Sequence, residues 1–188
     1  MRLSGCSKLS LHPLTGCWFR ALNLKHWRTR LFADHSKIHR SRFSAATLQS
    51  PGPRVLYLGE THQVSIYEVG ALLGDPTAPI ANPAGAWVLM NVLVRLHRVA
   101  DLSDPRQQRL IGTNPQELTG VWAGARGAAP TQKLGAALFD VPELEGFVFP
   151  SAKTGGRNLA VFMDKLSADS RLSFENQIDG ESKWERLA

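Results

Sequence analysis

The run W-V-L-M-N-V-L-V-R-L-H-R-V, Trp87 to Val99, decides the fold class. Val88, Met90, Val92, Val94 and Leu96 alternate with Leu89, Asn91, Leu93, Arg95 and His97, the period of two that sends successive side chains to opposite faces of a sheet. One face stays apolar while the other turns polar in its second half, so the run predicts a long strand at the centre of a sheet. Upstream, R-V-L-Y-L-G at Arg54 to Gly59 is a short β-prone segment delivered by Pro51, Gly52 and Pro53. Thr61 then offers an N-cap for a helix reaching Leu73, which Gly74, Asp75 and Pro76 terminate. Downstream, Asp104-Pro105 and Asn114-Pro115 each place a capping side chain before a proline at the first helical position, predicting two short helices. A further helix is expected from Thr131 to Phe139. Short strands are expected at Phe147 to Phe149, Asn158 to Met163 and Arg171 to Glu175, with a hairpin turn at Asp179-Gly180. Strands and helices mix without β-α-β alternation. The reading is α+β, a single domain with a mixed, mostly antiparallel sheet core flanked by short helices.

At 188 residues the chain fits one domain. No apolar run approaches the roughly 20 residues that cross a bilayer. Cys6 and Cys17 have neither metal nor disulfide spacing, which excludes a zinc site and suits a reducing cytosol; no metal is expected. The net charge is +6, and no acidic residue precedes Asp34 while Arg2, Lys8, Arg20, Lys25, Arg28 and Arg30 are basic. Anions are the natural partners: a nucleic acid, or a phosphate-bearing small molecule in a basic cleft. A transit peptide is a third reading of the same stretch; Lys8, His12 and Arg20 interrupt any signal-peptide core. The local signatures of phosphate-loop NTPases, Rossmann dehydrogenases, zincins and α/β-hydrolases are all absent from the sequence.

Three constellations could carry chemistry. On the helix after Thr61, at about 100° per residue, Glu68 falls about 40° from Val64, among Tyr67, Ala71 and Leu72. A carboxylate in an apolar arc must be protonated, paired with a cation or lining a cleft; a structural pair with an arginine is the plainer reading. The loop P-S-A-K-T-G-G-R-N, Pro150 to Asn158, gathers Ser151, Lys153, Thr154, two glycines and Arg157, donors suited to an anion or, equally, to a solvated hairpin. Aromatic residues stand beside arginines at Trp18 to Arg20 and at Arg40 to Phe43, able to stack on single-stranded nucleic acid, to clamp a dinucleotide or to pack in the core.

Together these blocks resemble the RES domain, named for an Arg, a Glu and a Ser. The order is Phe19-Arg20, Arg42-Phe43 followed by Ser44 and Ala45, V-L-Y-L at Val55 to Leu58, Glu68 in Y-E-V, L-T-G-V-W at Leu118 to Trp122, E-G-F-V-F-P-S-A-K at Glu145 to Lys153 and N-L-A-V-F at Asn158 to Phe162. The chain departs from the family in carrying Phe19 where a tyrosine is usual, and both Arg20 and Arg42 are candidates for the family's first arginine.

The resemblance implies a fold related in shape to ADP-ribosyltransferases, with residues 1–13 as a basic extension and 14–188 as the domain. It implies a cytoplasmic toxin enzyme that cleaves the nicotinamide–ribose bond of NAD⁺, as a glycohydrolase or phosphorylase. NAD⁺ is substrate and no cofactor is expected. Transfer of ADP-ribose to a protein, or a non-catalytic nucleic-acid-binding module, are the alternatives. Candidate catalytic residues are Glu68, Arg42 and Ser151; Arg20, Arg42, Tyr57, Ser151 and Lys153 are candidates for binding the dinucleotide. The implied partner is a helix-turn-helix antitoxin of the Xre type. Neither a membrane nor direct nucleic-acid contact is expected, and a homodimer is kept open.

Overall fold

A computed structural model describes residues 3–29, 32–176 and 183–187. In chain order the elements are β1 (Leu11–Asn23), β2 (Val55–Gly59), α1 (His62–Glu68), β3 (Leu72–Leu73), β4 (Ile80–Ala81), β5 (Trp87–Asp101), α2 (Pro105–Ile111), α3 (Pro115–Thr119), α4 (Pro130–Phe139), β6 (Gly146–Pro150), β7 (Arg157–Phe162), β8 (Arg171–Asn176) and β9 (Lys183–Leu187). The helix starts follow their sequence signals. Thr61 caps α1 through the Val64 amide at 3.2 Å, and Asp104 and Asn114 accept from the Arg106 and Glu117 amides, each at 2.8 Å.

The expected α+β class with a mostly antiparallel sheet is what forms, but the sheet is closed. Strand β1 pairs with β5 along its whole length, from Leu11 opposite Ala100 to Asn23 opposite Trp87, and touches β2 where Phe19 faces Gly59. Antiparallel β2–β7 and β7–β6 pairs and a short parallel β6–β5 pair complete a five-stranded ring, with β8 and β9 added to the free edge of β5. Every strand of the ring contributes to one apolar cluster that fills it, including Trp18, Leu56, Val94, Val148 and Val161. The outward side chains Val55, Phe147, Phe149 and Phe162 form a second cluster with Ile111, Leu118, Leu134 and Leu138 from the helices. The barrel is therefore packed within and covered by helices on one side.

The stretch expected as an N-terminal extension, residues 1–13, carries structure among its described residues. Residues Leu3–Lys8 form a 3-10 helix with Cys6 buried, Leu9 joins the outer cluster, and β1 runs through the boundary at residue 13. The helix expected to reach Leu73 ends at Glu68. Gly70 turns the chain at φ +72°, Asn82 Nδ2 holds its carbonyl at 2.8 Å, and Leu72–Leu73 pairs with Ile80–Ala81 instead. The hairpin turn expected at Asp179-Gly180 lies outside the described residues.

Two glycines allow close packing that positions the site. A Cβ on Gly59 would sit 2.6 Å from the Ser65 amide nitrogen, so only glycine lets α1 lie against the end of β2. A Cβ on Gly135 would meet the Phe43 carbonyl at 1.9 Å, and its absence lets α4 press on the segment that carries Arg42.

Where β5 changes partner, its free edge pairs with β8 over Val92 to Arg95 and with β6 from Val99 onward. Between them the register against β1 shifts opposite Pro13, and the amides of His97 and Arg98 both turn to one oxygen of Glu145, at 2.6 and 3.0 Å. Its other oxygen accepts from the Ser167 amide at 2.7 Å and the Ser170 hydroxyl at 2.6 Å. Glu145 is wholly buried. Burial pushes its carboxyl up, but the hydrogen bonds from Ser170, Ser167 and His97 outweigh that and bring it down to about 2.

Candidate functional site

A cavity of about 380 Å³ opens where β1, β2 and α1 meet the segment before α4. Arg20, Arg42, Tyr57, Glu68 and Lys153 all line it, and Ser151 lies directly behind Glu68. Residues far apart in sequence are thus brought to one place.

Glu68 is the last residue of α1 and its side chain is open to the cavity. Its Oε1 accepts from Ser151 Oγ at 2.6 Å and from Asn158 Nδ2 at 2.8 Å. The Ser151 hydroxyl accepts in turn from the amides of Lys153 and Thr154 at 3.1 and 3.2 Å, so the loop after β6 folds around this oxygen. The arc reading of the helix placed Glu68 among apolar neighbours; in the structure the helix end leaves it at the cavity wall, held by neutral donors. No ion pair joins it to an arginine among the described residues.

Arg20 projects from β1. One Nη1 donates to the Tyr57 carbonyl at 3.0 Å, while Nε is buried without a hydrogen-bond partner. Burial pulls its guanidinium down to about 10, and none of the ion pairs among the described residues includes it. An uncompensated buried cation of this kind is what an anionic ligand would complete. Arg42 is different: its Nη1 donates to the carbonyls of Leu118 at 3.1 Å and Gly120 at 2.7 Å, tying down the loop that carries Trp122 into the cavity wall. Burial lowers the Arg42 guanidinium, and the nearby Glu68 charge offsets part of that.

The Tyr57 hydroxyl pairs with Ser41 Oγ at 2.9 Å, and burial pushes the phenol up to about 12, so it stays protonated. His35 lines the same wall. Burial first, then the Arg20 charge, holds it below the usual histidine value and therefore neutral at pH 7. Lys153 is exposed at the rim.

Arg157, read from the sequence as a possible anion donor, is committed elsewhere. Its guanidinium forks onto the Glu60 carboxylate, with Nε at 3.0 Å, and lies 3.6 Å from Asp101. Phe19 packs edge-on against His62, ring centroids 4.0 Å apart, away from the cavity lining. Asn158, Ser41, His35 and Trp122 were not singled out as site residues. Asn158 alone left a signal, as a polar residue closing the glycine-rich loop just where a buried strand begins. Among the described residues no group of three or more His, Cys, Asp or Glu side chains could hold a metal ion, and no helix is long and apolar enough to cross a membrane.

No curated protein matches the chain in sequence. Among solved structures, the crystal structure of the M. tuberculosis MbcT-MbcA toxin-antitoxin complex is similar with a TM-score of 0.69, covering 99% of this chain and 91% of that chain. At 17% identity that likeness speaks for the fold alone. The model of the RES domain matches residues 18–181. That span holds Arg20, Arg42, Glu68 and Ser151 and the closed ring except the first half of β1, and on its strength this chain belongs to the RES-domain family.

Proposed function

We propose that this protein is the toxin of a toxin-antitoxin pair and cleaves the nicotinamide–ribose bond of NAD⁺. The observation that carries the reading is one carboxylate, oriented by two hydrogen bonds, in a cavity whose lining also holds two arginines and, among the described residues, no other acidic side chain. A dinucleotide needs this combination: cations for its pyrophosphate and a negative charge beside the ribose carbon that becomes electron-deficient. Nicotinamide departs from a pyridinium as a neutral base, so no general acid is required. The barrier falls when the oxocarbenium-like transition state is stabilised electrostatically, as carboxylates do in glycoside cleavage. Glu68 supplies that charge. Arg20 takes the pyrophosphate, with the free N–H groups of Arg42 and the Lys153 ammonium beside it, and Tyr57 orients the nicotinamide ribose. The acceptor of the ADP-ribosyl group is water or inorganic phosphate; transfer to a protein is the second reading.

The partner in this reading is a helix-turn-helix antitoxin of the Xre type, in keeping with family membership and with a structural neighbour solved as a toxin-antitoxin complex. An acidic group of the antitoxin would satisfy the same unpaired Arg20. The place of action is the cytoplasm, where NAD⁺ is drawn down. The direct test is incubation of purified protein with NAD⁺, with and without inorganic phosphate, following loss of dinucleotide and the identity of products. Release of nicotinamide is expected. Intact NAD⁺ after prolonged incubation with folded protein would overturn the proposal, and radiolabelled NAD⁺ marking a protein instead would favour the transferase.

Arg20→Ala is expected to raise KM by about 10- to 100-fold, since a charge-assisted hydrogen bond contributes about 1.5–3 kcal/mol to both ground-state and transition-state binding. Arg42→Ala should raise KM and also loosen the Leu118 to Trp122 loop, visible as faster proteolysis there. Steady-state kinetics on both variants check this, and unchanged saturation curves would remove the arginines from substrate binding.

A further inference from the structure

Family membership names an arginine, a glutamate and a serine, but the geometry around Glu68 contains a fourth member. We infer that Asn158 is a positioning residue, fixing Glu68 together with Ser151 so that Oε1 is fully occupied and Oε2 alone faces the ligand. This assignment rests on the NAD⁺-cleaving reading of the site.

Both donors converge on Oε1, and among the described residues no protein group is hydrogen-bonded to Oε2. A carboxylate only accepts, so the Asn158 amide must turn its NH₂ toward it. Asn158 is well suited to hold a group still. It is 5% exposed and lies in β7, in register with Gly59 of β2 on one side and Phe149 of β6 on the other. The preceding Arg157 is pinned by Glu60, whose own amide donates back to the Arg157 carbonyl at 2.9 Å. The amide therefore issues from a strand fixed within the barrel wall, whereas Glu68 sits at a helix terminus, followed by a glycine turn, where a long side chain has freedom to lose. The Ser151 hydroxyl is also fully engaged, donating to Glu68 and accepting from two amides. Its role is thereby moved from contacting ribose or phosphate to holding the carboxylate. Neutral donors are the right choice for this task. They orient Glu68 without cancelling the negative charge that the ribosyl transition state needs, as an arginine in the same place would.

A residue acting through another leaves a distinctive kinetic trace. Asn158→Ala is expected to lower kcat by about 10- to 100-fold, the usual penalty for misplacing a catalytic group by about an ångström, with KM changed by less than about threefold. Asn158→Asp keeps the volume but puts an acceptor and a like charge against Oε1, and should lower kcat further; it also serves if the alanine variant does not fold. In a Glu68→Gln background either substitution should cost less than about twofold, because the group being positioned is gone. A folded Asn158 variant with kcat within about threefold of the parent, or one that loses the same factor in both backgrounds, would overturn the assignment. A parent protein that leaves NAD⁺ intact would instead overturn the reading of the site itself, and this assignment with it.

Discussion

Glu68→Gln is expected to lower turnover of NAD⁺, the proposed substrate, by at least about 100-fold, equivalent to about 3 kcal/mol of transition-state stabilisation. Glutamine keeps the length and shape of the side chain and still offers an oxygen to Ser151 and Asn158, so the change isolates the charge. In the proposed reaction that charge is the only negative group that the described residues place in the lining of the cavity, and it acts on a positive charge that exists only while the glycosidic bond is breaking. The effect should fall on kcat, with KM little changed. The side chain is exposed and at a helix end, so the variant should melt within a few degrees of the parent. Single-turnover assays with a parallel thermal melt provide the check. A folded variant working at nearly the parent rate would leave Glu68 a structural residue and the mechanism without its central group.

Glu145→Gln has the largest expected effect on stability. Four donors surround this buried carboxylate and it accepts from all of them; an amide in its place turns an NH₂ toward at least one donor, leaving buried polar groups unsatisfied. The carboxyl falls from its ordinary 4.5 to about 2 in the folded protein, which corresponds to about 3 kcal/mol of stability. A loss of that size lowers Tm by roughly 6–12 °C in a domain of this length. Because the folded value is depressed, the stabilisation is complete above about pH 4.5 and disappears as the pH falls toward 2. The parent should therefore lose stability steeply over that interval, and the variant less so. Melting curves at pH 7 and pH 3 test both points, and a variant whose Tm stays within about 2 °C of the parent at pH 7 would show that the cluster is not stabilising.

What the sequence made legible was local. The alternation in β5, the capping residues Thr61, Asp104 and Asn114, and the prolines behind the last two are decided by neighbours a few residues away, and they hold. Strand β1 gives no such signal. Pro13, Thr15 and Gly16 interrupt any alternation, and the segment is extended because β5 pairs with it from far along the chain. Without that strand the ring could not be seen to close. The end of α1 departs from expectation for a similar reason, since Gly70 and the Asn82 side chain, rather than the later Gly74, stop the helix. In the site, Glu68 and Ser151 could be joined only through resemblance to a family, because a contact across 83 residues has no local signature. Arg157 looked as available as Arg20 in sequence. Only the folded chain shows that Glu60 and Asp101 occupy one and leave the other, among the described residues, without an acidic partner.

The closing of the ring also governs when the protein comes into being. Strand β1 leaves the ribosome well before the strand it lies against, which begins only at Trp87, and β2 waits for β7, which begins at Arg157. Such non-local pairing is slow to nucleate, and at about 5–20 residues per second of synthesis the early strands spend seconds unpaired. Arg20 and Glu68 are made early, but the serine and asparagine that hold Glu68 are made late. A nascent or truncated chain that stops short of Asn158 carries the arginines and the glutamate without the donors that hold Glu68, so the cavity is complete only once Asn158 has been made.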